Sequence, residues 1–448
     1  MSQANNKRSR DFLLKPFDYF FKMEAAGGIA LMFCTVVAMI WANSPWADLY
    51  HSLWQTKLTF GIGEWTLSKA LILWINDGLM AVFFFVVGLE IKRELLVGGL
   101  STPSQTIMPV AAAIGGMVIP ALCFFFFNAG KESIAGWGIP MATDIAFALG
   151  IMSLLGKRVP IGLKIFLTAV AIVDDIGAIL VIAIFYTSSL NLVALGLGLA
   201  GIAVMAMFNA VWGIRNYIPY LAVGILVWFA FLMSGIHATI AGVLAALTIP
   251  ASTRMDCTGF IEKLREAADN FELAITPGKT VLTNKEQQIA LHTMEEAYND
   301  STTPLQNLEH ALHPWVAFCI MPIFALANAG VALEADIFQE LVSPVALGIF
   351  SGLVIGKQIG VTGACWLTHK LGLSAFPSRT TLVHLWGASC LSGVGFTMSI
   401  FIANLAFEDA ARLVELSKIA ILFASLTAGV LGYVILRYIA PDASKSEA

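Results

Sequence analysis

Apolar runs of about twenty residues, the length that carries a helix across the hydrocarbon layer of a bilayer, recur along nearly all of the 448-residue chain. A water-soluble surface cannot be built around them. Only 12% of the residues are charged and 58% are hydrophobic, with a mean hydropathy of +0.79, whereas a soluble domain carries about 25% charged residues. The chain therefore reads as an integral membrane protein, and a cytosolic enzyme is excluded. So is a disordered chain, which needs low hydrophobicity and high net charge. With 26 Lys and Arg against 30 Asp and Glu, for a net charge of −4, no nucleic-acid partner is expected. The six cysteines form no CxxC pair, so neither a zinc site nor a disulfide framework is indicated.

The runs fall at 24–42, 70–95, 105–127, 133–155, 161–186, 190–211, 219–234, 236–250, 312–333, 344–368, 380–406 and 411–438. Twelve spans put both termini on one side. With that side taken as cytoplasmic, twenty of the 26 basic residues face inward, as the positive-inside bias requires. The basic N-terminus lacks a small-residue cleavage site and reads as a cytoplasmic tail, not a secretory signal. The expected organisation is a tail over 1–23, a first transmembrane part over 24–250, an insert over 251–311, a second transmembrane part over 312–438 and a tail over 439–448. Within the external loop 43–69, the alternating, glycine-bearing stretch Lys57 to Leu67 predicts a short β-hairpin. In the polar insert, Phe260, Leu264, Phe271 and Ile275 recur at helical spacing, and Thr283 to Glu286 reads as a capping box. Two short amphipathic helices are expected there.

Ionisable groups inside a span each cost about 2.5–3.5 kcal/mol at the helix centre, so they mark function. Asp174 and Asp175 stand side by side in Phe166–Leu180. Helix neighbours point about 100° apart, so the two carboxylates cannot face each other as an acid dyad. Desolvation and mutual repulsion both oppose two negative charges there, which suits a site that trades a proton for a cation. Asp144 follows Pro140 in a span interrupted by glycines, and a second interruption lies at Ser392 to Ser399. Each break carries a threonine, Thr143 and Thr397. Broken spans are tolerated where they line a cavity or pack in protein, and paired breaks point to a repeat-built transporter with its site between them. Spans 3–5 and 10–12 are the expected repeats. Lys357 is mid-span and calls for an acidic partner, Asp144 or Asp174. Asp77 fits either a vestibule charge or an interfacial acid, and His237 either a titrating group or a hydrogen-bonded ring. Glu90 to Glu94 ends its span as a mixed-charge helix terminus.

Together these segments resemble the NhaA family of bacterial sodium/proton antiporters. The resemblance is carried in order by Phe83 to Leu95, Pro140 to Ala148, Ala171 to Gly177, Ser234 to Thr239, Leu308 to Trp315, Phe324 to Gly330 and Gly393 to Phe401. It implies an all-α membrane fold of twelve transmembrane helices, two inverted repeats with crossed discontinuous helices, and a small external hairpin. It implies electrogenic export of Na⁺ or Li⁺ for external H⁺ across a bacterial inner membrane, with activation at alkaline pH and no cofactor. Asp174 and Asp175 would carry the cation and the protons, with Thr143, Asp144, Lys357 and Asp77 in support. Glu90, Arg93, Glu94, His237, Glu309, His310 and His313 would belong to the pH response. The hairpin in 43–69 would pair two protomers as a homodimer in the lipid bilayer. One departure bears on the pH response: Gln306 and Asn307 stand where the family commonly has basic residues.

Three rivals fit parts of the pattern. An organic-anion carrier would need more basic groups than Lys357 at mid-span. An intramembrane aspartyl protease would need two aspartates facing each other from different helices. A passive channel would conduct without exchange.

Overall fold

The computed structural model describes residues 23, 26–62, 65–98, 101, 103–187, 190–277, 279–332 and 340–442. Most of the tail expected over 1–23, the last six residues of the tail expected over 439–448, and the hairpin tip at 63–64 lie outside the described residues. Among the described residues, eight helices are long and apolar enough to cross a membrane, or up to eleven spans if each of three bent pairs counts as one.

The chain begins with α1 (Ala26–Ala42), which bends by 113° into α2 (Ala47–Gln55). The hairpin follows as β1 (Lys57–Ile62) and β2 (Trp65–Ala70), antiparallel with Lys57 opposite Ala70 and Ile62 opposite Trp65. Thr59 and Ser68 join their hydroxyls across it at 2.8 Å. The expected hairpin is thus present, and its second strand runs three residues past Leu67. The short helix α2 was not expected. It buries Tyr50, whose hydroxyl donates to Leu326 O at 2.8 Å and accepts from Gly330 N at 3.1 Å.

The bundle continues with α3 (Leu71–Leu96), α4 (Pro103–Asn128), a 3-10 segment (Glu132–Met141), α5 (Ile145–Leu154) and α6 (Ile161–Phe185). Next come α7 (Leu192–Ala210), α8 (Tyr217–Ser234) and α9 (Thr239–Thr248). Ten residues rise only about 15 Å, so α9 by itself does not cross a bilayer. The insert forms α10 (Cys257–Leu273) and α11 (Lys285–Ser301), packed against each other. The chain ends with α12 (Pro304–Asn328), α13 (Pro344–Lys370), α14 (Leu382–Ser392), α15 (Phe396–Ala406) and α16 (Ala411–Ile439).

Two local readings differ from the sequence expectation. Thr280 and Thr283 close a capping box on their own 3-10 turn, and α11 is capped by Asn284, which accepts from Glu286 N at 3.2 Å. The ninth span starts eight residues before 312, because Thr303 caps Gln306 N at 3.1 Å and Pro304 opens the helix. Glu309 and His310 therefore ride, together with His313, on a candidate membrane helix and not on the insert.

The core closes most tightly where α13 crosses α4. A Cβ on Gly115 would stand 2.9 Å from Gly360 C, so only glycine lets these backbones meet. Without a hydrophobic drive between helices in lipid, such close backbone packing is what holds a pair together. That contact fixes the position of Lys357, one turn before Gly360.

Candidate functional site

Two of the bent pairs meet at the centre. The 3-10 segment turns by 42° into α5 through Ala142, Thr143 and Asp144, and α14 turns by 44° into α15 through Gly393, Val394 and Gly395. Each break strands backbone groups that lipid cannot satisfy, and the two breaks satisfy one another. Asp144 N donates to Val394 O at 2.7 Å, and Ser399 Oγ donates to Ile139 O at 2.8 Å.

Asp144 is 1% exposed and binds two helix starts at once. Its Oδ1 accepts from Phe147 N at 3.0 Å, capping α5. Its Oδ2 accepts from Thr397 N at 3.1 Å and from the Thr397 hydroxyl, at the start of α15. A carboxylate is well placed between two N-termini, where unpaired N–H groups carry partial positive charge. The other amide at that start, Phe396 N, donates to Ser425 Oγ at 3.1 Å.

Asp174 answers to a side-chain cation instead. Lys357 Nζ donates to its Oδ2 at 2.5 Å, and both groups are sealed from solvent. Thr143 lies between them. Its oxygen accepts from Lys357 Nζ at 3.0 Å and stands 2.7 Å from Asp174 Oδ2 and 2.8 Å from Ser392 O. A hydroxyl has one proton, so Thr143 serves the carboxylate or the carbonyl, not both together. Of the two partners the sequence left open for Lys357, the structure places Asp174 in contact. A π turn over Gly352–Gly356 immediately precedes Lys357; such turns recur at functional sites.

Asp175 is 3% exposed, and its Oδ1 has no hydrogen-bond partner; Oδ1 of Asp174 shares that condition. A buried carboxylate without a partner is expensive unless it is protonated or holds a cation. Among the described residues, no group of three or more His, Cys, Asp and Glu converges as a metal site.

The remaining predicted residues separate into two clusters. Toward the insert, Arg93 bridges Glu94 at 3.0 Å and Glu309, and His313 Nε2 lies 3.8 Å from Glu90 Oε1. Glu309 is 2% exposed and His310 beside it is exposed. Lys92 donates to Leu247 O at 2.7 Å and Ile249 O at 2.5 Å, holding the end of α9. Toward the hairpin, Asp77 lies in a π turn over Trp74–Leu79 and pairs with Lys69 at 3.0 Å. His237 lies 3.9 Å from Asp77 and bonds Thr239 Oγ1 at 2.8 Å through Nδ1. His237 therefore stands with Asp77 at the start of α9, apart from the other residues grouped with it by sequence.

Sequence reasoning singled out the threonines of the breaks but passed over the neutral amides. Asn328 donates to Asn76 Oδ1 at 2.9 Å and accepts from Asn404 Nδ2 at 2.9 Å, joining α3, α12 and α15. The signal was an asparagine inside Phe324 to Gly330, an otherwise apolar stretch.

Buried charges at crossed, broken helices in a bundle of membrane spans are the build of a secondary transporter. Sequence comparison gives the family. The Na⁺/H⁺ antiporter 1 family profile matches residues 18–436. The Na⁺/H⁺ antiporter NhaA of Oleidesulfovibrio alaskensis is 55% identical over 428 residues, covering 95% of this chain and 94% of that one. The Na⁺/H⁺ antiporter NhaA 1 of Saccharophagus degradans is 45% identical, covering 97% and 93%, and the Na⁺/H⁺ antiporter NhaA of Koribacter versatilis is 44% identical, covering 97% and 94%. The chain belongs to the Na⁺/H⁺ antiporter 1 family.

Proposed function

We propose that this chain exports Na⁺ or Li⁺ in electrogenic exchange for external H⁺, at Asp174 and Asp175. The observation that supports this most is the contrast between the two carboxylates: Asp174 is held by Lys357, and Asp175 Oδ1 is buried with no partner. When protons leave this pair, its oxygens suit a hard, partly dehydrated alkali cation. Further ligands come from the Thr143 hydroxyl, backbone carbonyls of the breaks, or water. A cation drawn to Asp174 competes with Lys357, and a proton competes with the cation. Each weakens the other by the same factor. Moving more protons inward than Na⁺ outward draws on the membrane potential, about 2.3 kcal/mol per net charge per 100 mV.

We read the 3-10 segment with α5, between α4 and α6, as the core of one repeat, and α14 with α15, between α13 and α16, as the core of its inverted counterpart. Rocking of one against the other would expose the site to either side. Counting the stretch 236–250, in which α9 and its flanking residues together make one short crossing, with the eight helices and three bent pairs gives the twelve spans of this reading. The termini and insert then face the cytoplasm of a bacterial inner membrane. Glu90, Arg93, Glu94, Glu309, His310 and His313 form the alkaline-activation region there, with Asp77 and His237 at the external vestibule. The two-stranded hairpin is too small to be stable by itself, and its open edges suit pairing with the same hairpin in a second protomer.

The test is a pH-gradient dye assay in everted membrane vesicles, adding Na⁺, Li⁺ and K⁺ in turn across pH 6 to 9. Na⁺ and Li⁺ should release the gradient at alkaline pH and fail at acid pH, where protons hold the carboxylates. Exchange of full size in a correctly inserted Asp175→Asn protein would overturn the assignment.

A further inference from the structure

The insert carries a surface that the proposed exchange does not call on. Between α10 and α11 lies a cleft of about 340 Å³, with Ala267, Ala274 and Ala290 on its floor and Leu273, Ile289 and Glu286 at its rim. Leu273 is 84% exposed, Ile289 67%, and Leu282 beside them 86%. These residues are outside the candidate membrane spans, so lipid tails do not account for their exposure. The surround is acidic: residues 257–301 hold eight Asp and Glu against four Lys and Arg. Glu266, Asp269, Glu272 and Glu286 are exposed and make no ion pair among the described residues.

We infer that this cleft is a docking groove for the chain's own N-terminal segment, residues 1–22. That segment supplies the complementary chemistry. It has five Lys and Arg (Lys7, Arg8, Arg10, Lys15, Lys22) against Asp11 and Asp18, interleaved with Phe12, Leu13, Leu14, Phe17 and Phe20. Aromatic and leucine side chains fill an alanine-floored cleft, and the basic residues meet the unpaired acids around it.

The fold brings the two together. The far end of α1 leads through α2 to the hairpin, and its start lies toward the opposite side, with Gly27 against Ala317 about 20 Å along α12 from the insert. The insert is on that same side. The start of α9 lies by Lys69 of the hairpin through His237 and Asp77, and its far end, held by Lys92, leads into the insert. Twenty-two residues reach up to about 70 Å when extended, and α10 is only about 25 Å long. An anionic bilayer surface is the poorer occupant, because it attracts basic segments and repels acidic ones.

The test uses the full-length protein and does not depend on ion exchange. A mixture of isotope-labelled and unlabelled protein in detergent is treated with a zero-length carbodiimide, and amide links between lysines and carboxylates are mapped by mass spectrometry. Lys7 or Lys15 should join Glu272 or Glu286 within one isotope form. The Leu273→Asp/Ile289→Asp variant, altered only at exposed positions, should lower that yield about tenfold. The Lys7→Glu/Arg8→Glu variant should lower the Lys15 links and speed amide exchange over 257–301. Links between isotope forms would instead assign the groove to a second copy. Protection of the insert that appears only with anionic phospholipid vesicles, and is indifferent to the tail variant, would assign it to the membrane surface. Absence of tail–insert links, or links unchanged by the groove variant, also overturns the proposal.

Discussion

Two carboxylates share the crossing of the broken spans and are stabilised in opposite ways. Asp144 is met by two backbone amides, Phe147 N and Thr397 N, and by the Thr397 hydroxyl beside them. Asp174 is met by the Lys357 ammonium and the Thr143 hydroxyl. Helix starts cannot leave without unwinding the helices that own them. An ammonium on a flexible stem can be displaced by another cation. The same residue type is thus held by helix starts in one place and by a side-chain cation in the other, and the proposed exchange uses only the second.

The sharpest way to break this contrast is to neutralise each acid. Asp174→Asn should reduce Na⁺-dependent proton flux in vesicles to background. Asp144→Asn should lower exchange but keep it measurable, because its one amide oxygen still caps one of the two helix starts while its NH2 faces the N–H of the other. Equal loss in both would erase the distinction. Next in size is Lys357→Ala, which leaves Asp174 buried and uncompensated at a cost of about 3–5 kcal/mol. A large fall in thermal midpoint of the purified protein is expected, with recovery in the Lys357→Ala/Asp174→Asn double variant. Asp144→Ala removes the acceptor for two helix starts and should cost about 1–2 kcal/mol, read as a smaller fall in the same midpoint. Ser425→Ala strands only Phe396 N and should cost about 1 kcal/mol, with exchange retained. A Ser425→Ala effect as large as that of Lys357→Ala would mean that backbone and side-chain stabilisation are not separable here.

The parts of the molecule governed by local chemistry were legible in the sequence. Apolar runs gave the spans, alternation gave the hairpin, and Gly and Pro around Asp144 and at Gly393 and Gly395 gave the breaks. The helix α2 was missed because its apolar positions alternate with Asp48, His51 and Ser52 in a segment that otherwise reads as loop. The start of α12 was missed because Gln306, Asn307, Glu309 and His310 make a buried helix look like insert. The choice between Asp144 and Asp174 for Lys357 could not be made by spacing, since the partners are 183 residues apart in the chain. Asn328, Asn404 and Ser425 drew no attention because a neutral amide or hydroxyl carries no ionic penalty in a span. Their importance lies in which backbone groups and amides the fold brings to them.

The π turn over Gly352–Gly356 has a bearing on which changes this helix can absorb. It widens one turn by a residue relative to an α-helix, and everything beyond it is rotated accordingly. Deleting a single residue from that stretch while the wide turn persists would keep α13 apolar and long enough, yet move the lysine to Gly356's present bearing, about 100° away and off Asp174. Point substitutions there alter packing. Changes in length re-aim the positive charge, so the five residues before it act as a fixed spacer whose count matters more than its composition.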